Sequence, residues 1–124
     1  MIIEDYVSFE TAKLLKEKGY KGSFDGYYND AGCVVNRPNV FLKEPKYQYY
    51  ERVSLYMAMK WLREAYNILI EPESVWNGKK WEYQLFVVTP QNAASPYYEH
   101  NTYKSYEECV EAGIKYCLEK KLIF

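Results

Sequence analysis

The chain of 124 residues carries 16 basic and 17 acidic side chains, which gives a formal net charge of −1. Its hydrophobic fraction of 48% and charged fraction of 27% are typical of a globular protein and predict a single folded domain over residues 1–124. Because acids balance bases and the bases form no cluster, the sequence speaks against nucleic acid as a partner. The feature that departs from the average is the aromatic fraction of 19%, with 15 tyrosines.

The sequence also indicates that the protein is neither membrane-spanning nor secreted. It contains no run of about 18 apolar residues, the length that a membrane-spanning helix needs. Its first residues include Glu4 and Asp5, where a signal peptide needs basic residues, so the protein is expected to stay in the cytoplasm. The three cysteines are odd in number and widely spaced, which predicts free thiols rather than a disulfide framework.

The first third of the chain predicts one helix and one hairpin. Residues 8–18 have apolar side chains at helical spacing, with Ser8 as the N-cap and Gly19 directly after the last turn. Residues 24–28 and 33–36 are predicted to pair as a hairpin, because the residues between them are rich in Asn, Asp and Gly. Residues 43–53 form the least regular stretch.

The middle of the chain predicts a second helix and a longer hairpin. Ser54 is the expected N-cap of a helix over 55–66, which Asn67 ends. Residues 68–76 and 79–89 flank an Asn-Gly pair, which favours a two-residue turn between paired strands. Pro72 falls inside the first of these strands, so it indicates an edge strand or a bulge.

The last third predicts a loop, a short strand within 97–103 and a third helix over 106–120. Ser105 and Glu108 form a capping-box pattern at the start of that helix. Gly113 lies on its apolar face and costs about 1 kcal/mol relative to Ala in a helix interior. We therefore expect Gly113 to allow close packing on the sheet.

These elements predict an α+β fold in the order α-β-β-α-β-β-α. Two hairpins separated by helices cannot form an all-parallel sheet. The expected architecture is an antiparallel sheet of four to five strands with three helices mainly on one face.

Three stretches in this order and spacing resemble a known family: YVSFETAKLLKEKGY, MAMKWLREAYNILI and SYEECVEAGIKYCLEK. The family consists of small uncharacterised proteins from human-gut anaerobic bacteria and from their phages and mobile elements. The resemblance implies an accessory protein in a bacterial host cell. It implies no activity, cofactor or catalytic residue that can be transferred to this chain.

The sequence provides no positive evidence for an enzyme. His100 is the one histidine, and a hydrolase or transferase built around it is a hypothesis without an obvious neighbouring nucleophile. Cys109 and Cys117 lie on a helix face expected to be buried, which argues against thiolate catalysis. No metal-ligand spacing and no nucleotide-binding motif is present, so no metal and no cofactor are expected.

The tyrosines divide by position into core and loop sets. Those predicted to pack into the core from helices and a strand are Tyr56, Tyr66, Tyr83, Tyr106 and Tyr116. Most of the other ten lie in loops and turns, and seven of them form with the histidine the candidate binding set of Tyr27, Tyr28, Tyr47, Tyr49, Tyr50, Tyr97, Tyr98 and His100. Tyrosine is enriched at interfaces because it offers rigid contact area with a polar tip. The competing interpretation is that these rings cover a small core from outside.

Two functions follow from this set. The first is a non-enzymatic interaction protein that binds a protein partner or a second copy of itself through the Tyr-rich loops. The alternative is a small-ligand binder that sequesters a nucleotide-like molecule by stacking, with Arg37 and Arg52 as the nearest bases. Neither function involves nucleic acid or a membrane.

Overall fold

The fold is known from a computed structural model that describes residues 5–35, 48–75, 79–87, 97–98 and 101–119. Three helices and six strands lie within these ranges, so the predicted α+β class is correct. The helices are α1 (Phe9–Glu17), α2 (Leu55–Tyr66) and α3 (Tyr106–Glu119). The strands are β1 (Tyr27–Tyr28), β2 (Val34–Val35), β3 (Tyr50–Glu51), β4 (Ile68–Val75), β5 (Lys80–Val87) and β6 (Tyr97–Tyr98).

The helix ends are set by local sequence, as predicted. The side chains of Ser8 and Ser54 accept hydrogen bonds from the backbone N–H groups three residues later, which fixes the first turns of α1 and α2. Gly19 has a φ of 78°, and Tyr20 N–H donates to the Leu15 carbonyl at 3.0 Å, which is a Schellman ending. Asn67 ends α2 in the left-handed conformation, with a φ of 57°.

The strands form two antiparallel sheets, so the prediction of one four- to five-stranded sheet is wrong. The first sheet has the order β2-β1-β3 and the second has the order β4-β5-β6. Each strand of the first sheet is two residues long, and within the described residues none of them pairs with the second sheet. Helix α1 packs on β3 and on α3, while α3 packs on β4 and β5, so the two helices connect the sheets.

Both predicted hairpins are present, and each pairs residues of the two segments expected to form it. Tyr27 pairs with Val35 in the first sheet. Ile68 pairs with Val87, and the register continues without a break to Val75 and Lys80, as an Asn77-Gly78 turn requires. The turn residues themselves lie outside the described ranges. Strands β3 and β6 are not in the predicted order of elements. Strand β6 does lie within the 97–103 segment, for which a short strand is predicted.

Pro72 lies in an edge strand rather than in a bulge. It pairs with Tyr83, and the register around it is continuous. Trp81 exchanges backbone hydrogen bonds with Tyr103 on the side away from β4, at 2.9 and 2.8 Å. Tyr83, two residues later on β5, presents its backbone groups to that same side. The Pro72 nitrogen therefore points away from β5, and the missing N–H removes no bond from the ladder.

One hydrophobic core joins the three helices to both sheets. The helix-facing side of the second sheet carries Ile68, Ile70, Tyr83 and Leu85, all at most 7% exposed. Helices α2 and α3 both pack on this sheet. Two predicted core tyrosines are corrected: Tyr56 is 63% exposed and Tyr106 is 42% exposed. Tyr56 lies beyond the margin of the apolar stripe on α2, whereas Tyr106 lies on the apolar side of α3 and is the first residue of that helix.

The first and last helices are joined by a buried polar contact. The hydroxyl of Thr11, which is 0% exposed, donates to Glu111 Oε1 of α3 at 2.6 Å. The Ser8 N–H donates to the same oxygen at 3.0 Å. On the surface above, Lys115 Nζ lies 2.9 Å from Glu10 Oε2. The Thr11–Glu111 and Glu10–Lys115 contacts each join residues that are about a hundred positions apart in the sequence.

Candidate functional site

The first sheet brings four of the predicted tyrosines together and divides them between its two faces. Tyr28 and Tyr50 are cross-strand partners, and both make edge-to-face contacts with Phe9 of α1, at 5.9 and 5.5 Å between ring centroids. The Tyr28 hydroxyl donates to the Val7 carbonyl at 2.6 Å, and burial raises the pKa of this phenol. The Tyr28 and Tyr50 rings therefore lie on the face of the first sheet that packs against the core.

The opposite face carries a chain of three aromatic rings. Tyr27 and Tyr49 are the neighbours of the inner pair along the strands, and successive side chains point to opposite faces. Their ring centroids lie 6.4 Å apart in an edge-to-face arrangement. Phe24 extends the chain, with its centroid 5.1 Å from that of Tyr27, and it is 41% exposed. We call Phe24, Tyr27 and Tyr49 the aromatic strip.

A groove of about 220 Å³ opens beside the aromatic strip. It lies between the 23–25 loop and the first turn of α2, and we call it the loop groove. Its lining consists of Tyr6, Ser23, Phe24, Asp25, Ser54 and Met57. Phe24 belongs both to the strip and to the groove, so the two form one continuous surface.

The wall of the loop groove is held by an arginine that stacks on an aromatic ring. The Arg52 guanidinium lies 4.1 Å from the centroid of the Tyr6 ring, and its Nε donates to the Asp25 carbonyl at 2.8 Å. The Tyr6 hydroxyl donates to Asp25 Oδ2 at 3.1 Å. Arginine combines this cation–π contact with directed hydrogen bonds, so Tyr6 and the 25 loop are fixed relative to each other.

On the other side of the strip, a small cavity contains charged groups. Its volume is about 70 Å³, and Lys16, Tyr20 and Glu51 provide its polar lining. Burial raises the pKa of Glu51, which Lys16 opposes by attraction. Burial and the nearby Glu51 charge raise the pKa of Tyr20 to about 12. The cavity is small beside the pockets that hold drug-sized ligands, which begin at about 300 Å³.

The remaining candidates are not part of this surface as described. Tyr97 and Tyr98 pair with β5 in the second sheet, whereas the aromatic strip belongs to the first. Tyr47 and His100 lie outside the described residues, and so the hypothesis of chemistry at His100 stays untested. Sequence reasoning missed Phe24 and Tyr6 as site residues. An aromatic residue in the Gly- and Asp-rich 21–26 segment was the available signal for Phe24.

The helical thiols are placed as predicted, without access to solvent. Cys109 and Cys117 are both 0% exposed. Burial, with a further contribution from Glu82, raises the pKa of the Cys109 thiol to about 11. Burial raises the pKa of Cys117 to about 12. Since the thiolate is the reactive form, neither thiol is suited to nucleophilic chemistry.

Alkylation of the native protein with iodoacetamide near neutral pH is expected to modify Cys33 alone, because it is the exposed thiol. All three thiols react once the protein is unfolded in denaturant. Intact-mass spectrometry measures the number of adducts against time. A Cys33→Ser variant is the control, and it should acquire no adduct in the native state. Rapid labelling of that variant without denaturant would contradict the buried placement.

Two further kinds of feature are absent from the ranges that the structure describes. No helix there is both long and apolar enough to cross a membrane. Nor do three or more His, Cys, Asp or Glu side chains from those ranges group in a way that could hold a metal ion.

Comparison with known proteins gave no match, either of the sequence with family models and curated proteins or of the fold with solved structures. The proposal below therefore depends on the geometry of the aromatic strip and the loop groove.

Proposed function

We propose that this chain is a non-enzymatic accessory protein that binds another protein chain through the aromatic strip and the loop groove. The observation that carries the proposal is the placement of Phe24. A phenylalanine that is 41% exposed stands at the rim of a groove of about 220 Å³ and continues into two further rings. An exposed ring of this kind loses unfavourable contact with water when a partner covers it.

The chemistry of the surface suits recognition of a protein. Aromatic residues and arginine are the residue types that dominate binding energy at protein interfaces. Two tyrosines of the strip add rigid area with few rotatable bonds, so ordering them on binding costs little entropy. Tyr6 is already held by Arg52 and Asp25, which supports a groove that is formed before the partner arrives.

The setting proposed for this function is the cytoplasm of a bacterial cell. The three motifs that resemble proteins of gut bacteria, phages and mobile elements support an accessory role there.

A small ligand is the alternative that the sequence left open. Pockets for drug-sized ligands begin at about 300 Å³. The cavity beside Glu51 measures about 70 Å³, the loop groove about 220 Å³, and a third groove between α1 and α3 about 280 Å³. The larger two are open troughs rather than enclosed sites. Volume therefore favours a protein partner over a nucleotide-like ligand.

Site-specific crosslinking in living bacteria tests the proposal. The photoreactive residue p-benzoylphenylalanine replaces Phe24 in one variant and Tyr106 in another. The two positions are a matched pair, because they are 41% and 42% exposed and each contacts one neighbouring ring edge-to-face. We expect illumination to produce a discrete covalent adduct from position 24 and none from position 106.

The mass of the adduct identifies the kind of partner. Twice the mass of the chain means a second copy, and any other single mass means a different protein. Equal crosslinking from both positions, or none from position 24, would refute binding through the aromatic strip.

A further inference from the structure

The loop groove continues into a second depression along helix α2. This second depression has a volume of about 130 Å³, and both depressions share lining residues, so we call them together the α2 trough. One wall of the trough is the 20–25 segment. The other wall is a face of α2 with Ser54, Met57, Lys60, Trp61 and Glu64. A helix rises about 15 Å from position 54 to position 64, which is the length of about four to five residues of extended chain.

The 20–25 wall is fixed at both ends by hydrogen bonds within the chain. At one end, the Tyr20 hydroxyl donates to the Ser23 carbonyl at 2.7 Å. At the other end, the Asp25 N–H donates to the Arg52 carbonyl at 2.9 Å. The wall of the α2 trough therefore has its shape before a partner binds, which lowers the entropic cost of binding.

Between these ends, the backbone of the wall has free hydrogen-bonding groups. Within the described residues, the N–H groups of 21–24 donate to no acceptor, and the carbonyls of Lys21, Gly22 and Phe24 accept from no donor. All four residues of 21–24 are exposed. An extended segment of another chain can pair with such groups, whereas a helix uses its own N–H and C=O groups internally. The backbone of the wall therefore favours an extended partner over a helical one.

The α2 trough has an apolar site at one end. A cavity of about 150 Å³ holds a benzene molecule, so the loop groove of about 220 Å³ has room for one aromatic or large aliphatic side chain. Phe24 and Met57 line this groove and provide apolar contacts for such a side chain.

The charges of the α2 trough are paired within the chain, with one exception. Asp25 lies 3.8 Å from Arg52 Nη2, and Lys60 lies 4.0 Å from Glu64. In the part of the chain that the structure describes, the exposed Lys21 is the charged side chain of the trough without an ion pair. A carboxylate of the partner beside Lys21 complements this charge and sets the orientation of the bound segment.

We infer that the α2 trough binds an extended, acidic segment of another protein. An apolar side chain of this segment enters the loop groove, and an Asp or Glu about three to five positions away, a spacing set by the length of the trough, lies beside Lys21. The main chain of the segment pairs with the backbone of 21–24. This inference rests on the proposed function, since it names the kind of chain that the aromatic strip and the loop groove bind.

Selection from a phage-displayed library of random linear peptides, with the whole purified protein as the target, is the first test. The enriched peptides are expected to share an apolar residue with Asp or Glu about three to five positions away. Fluorescence anisotropy then measures the affinity of a labelled synthetic copy of an enriched peptide. Phe24→Ala should weaken binding at least about tenfold, whereas Tyr106→Ala, at a position of matched exposure, should not. Circular dichroism shows that each variant is folded.

A charge exchange tests the contact with Lys21. Lys21→Glu is expected to weaken binding of the acidic peptide, because it places two negative charges together. Replacement of the acid in the peptide by Lys should restore binding to the Lys21→Glu variant. Lys104→Glu changes another exposed lysine, which lies outside the trough, and it should leave binding of the acidic peptide nearly unchanged. The contribution of Lys21 should decrease with added salt.

Amide hydrogen exchange, followed by NMR, tests the pairing of the main chains. The N–H groups of 21–24 should exchange rapidly in the free protein. With saturating peptide, alternate N–H groups of 21–24 should become protected, since an extended chain pairs through every second residue. A peptide that binds as a helix would leave all four unprotected.

The outcomes separate this inference from the proposed function. The extended acidic segment is excluded if the library yields no enriched peptide, if binding is indifferent to Lys21→Glu, or if exchange at 21–24 is unchanged. If position 24 nevertheless crosslinks to another protein in cells, the proposed function stands and only the description of the bound segment fails. The absence of both an enriched peptide and a crosslink from position 24 removes both.

Discussion

Replacement of Tyr83 by Ala is expected to lower the free energy of unfolding by about 3–5 kcal/mol, as other large-to-small changes at buried aromatic sites do. Tyr83 is 1% exposed. Its ring stacks on that of Tyr103 with 6.2 Å between centroids, and it also lies against Gly113 of α3. Removing the ring leaves a cavity between β5 and α3. Chemical denaturation followed by circular dichroism measures the change.

Two further variants make the Tyr83 result specific. Tyr56→Ala removes the same number of atoms from a side chain that is 63% exposed, and it should change the free energy of unfolding by less than about 0.5 kcal/mol. Tyr83→Phe keeps the ring and should retain most of the stability. Similar losses for Tyr83→Ala and Tyr56→Ala would show that the core and surface tyrosines have been assigned wrongly.

Gly113→Val is expected to destabilise the fold by about 1–3 kcal/mol, the usual cost of overfilling a packed core. A Cβ atom at this position would lie 3.0 Å from Ile70 Cγ2 and 3.5 Å from the Tyr83 ring. The first distance is already tighter than ordinary van der Waals contact, and Val adds two methyl groups beyond it. Gly113→Ala should cost less, because Ala gains about 1 kcal/mol of helix propensity. Thermal and chemical unfolding measure both variants.

A double-mutant cycle identifies the side chain responsible for the Gly113 effect. Ile70→Ala removes the methyl group that the new Cβ would meet. In that background Gly113→Val should cost measurably less than in the wild type, since the two sites are in contact. An unchanged cost would mean that the helix and the sheet adjust without Ile70, and that the close approach is not what selects glycine here.

The parts of the fold that local sequence determines are predictable from the chain alone. Helix α2 begins after Ser54 and ends at Asn67, because a serine N-cap and a left-handed asparagine act within a few residues of their own position. The pairing of Ile68 with Val87 follows from an Asn-Gly turn for the same reason. Gly113 on α3 is a further success, since its predicted close packing is seen at Ile70.

The division into two sheets could not be predicted in this way. Strand β3 consists of Tyr50 and Glu51 and exists only because β1 pairs with it across more than twenty residues of sequence. A two-residue strand leaves no alternating pattern to detect. The exposure of Tyr56 was missed for a related reason. Helical spacing indicates which side of a helix is apolar, but the packed neighbours decide how far burial extends around it.

About half of the candidate site could be predicted, and the missing half has a physical explanation. Tyr27 and Tyr49 are recognisable as loop tyrosines, and the first sheet places them together. Tyr6 reaches the site through contacts with Arg52, Asp25 and Ser54, which are distant in sequence. Such a tertiary contact has no local signal. The aromatic strip and the loop groove therefore form only when β1, β3 and the segment before α1 come together in the fold.

The bond between Thr11 and Glu111 implies an order of events during synthesis. Helix α1 has nine residues, and helices shorter than about 12 residues are marginal in water on their own. At translation rates of about 5–20 residues per second, the ribosome needs roughly 5–20 s to extend the chain from Thr11 to Glu111. During that interval the Thr11 hydroxyl and the Ser8 N–H have no Glu111 carboxylate to donate to. Helix α1 is thus translated well before its partner α3, and it depends on α3 to become stable.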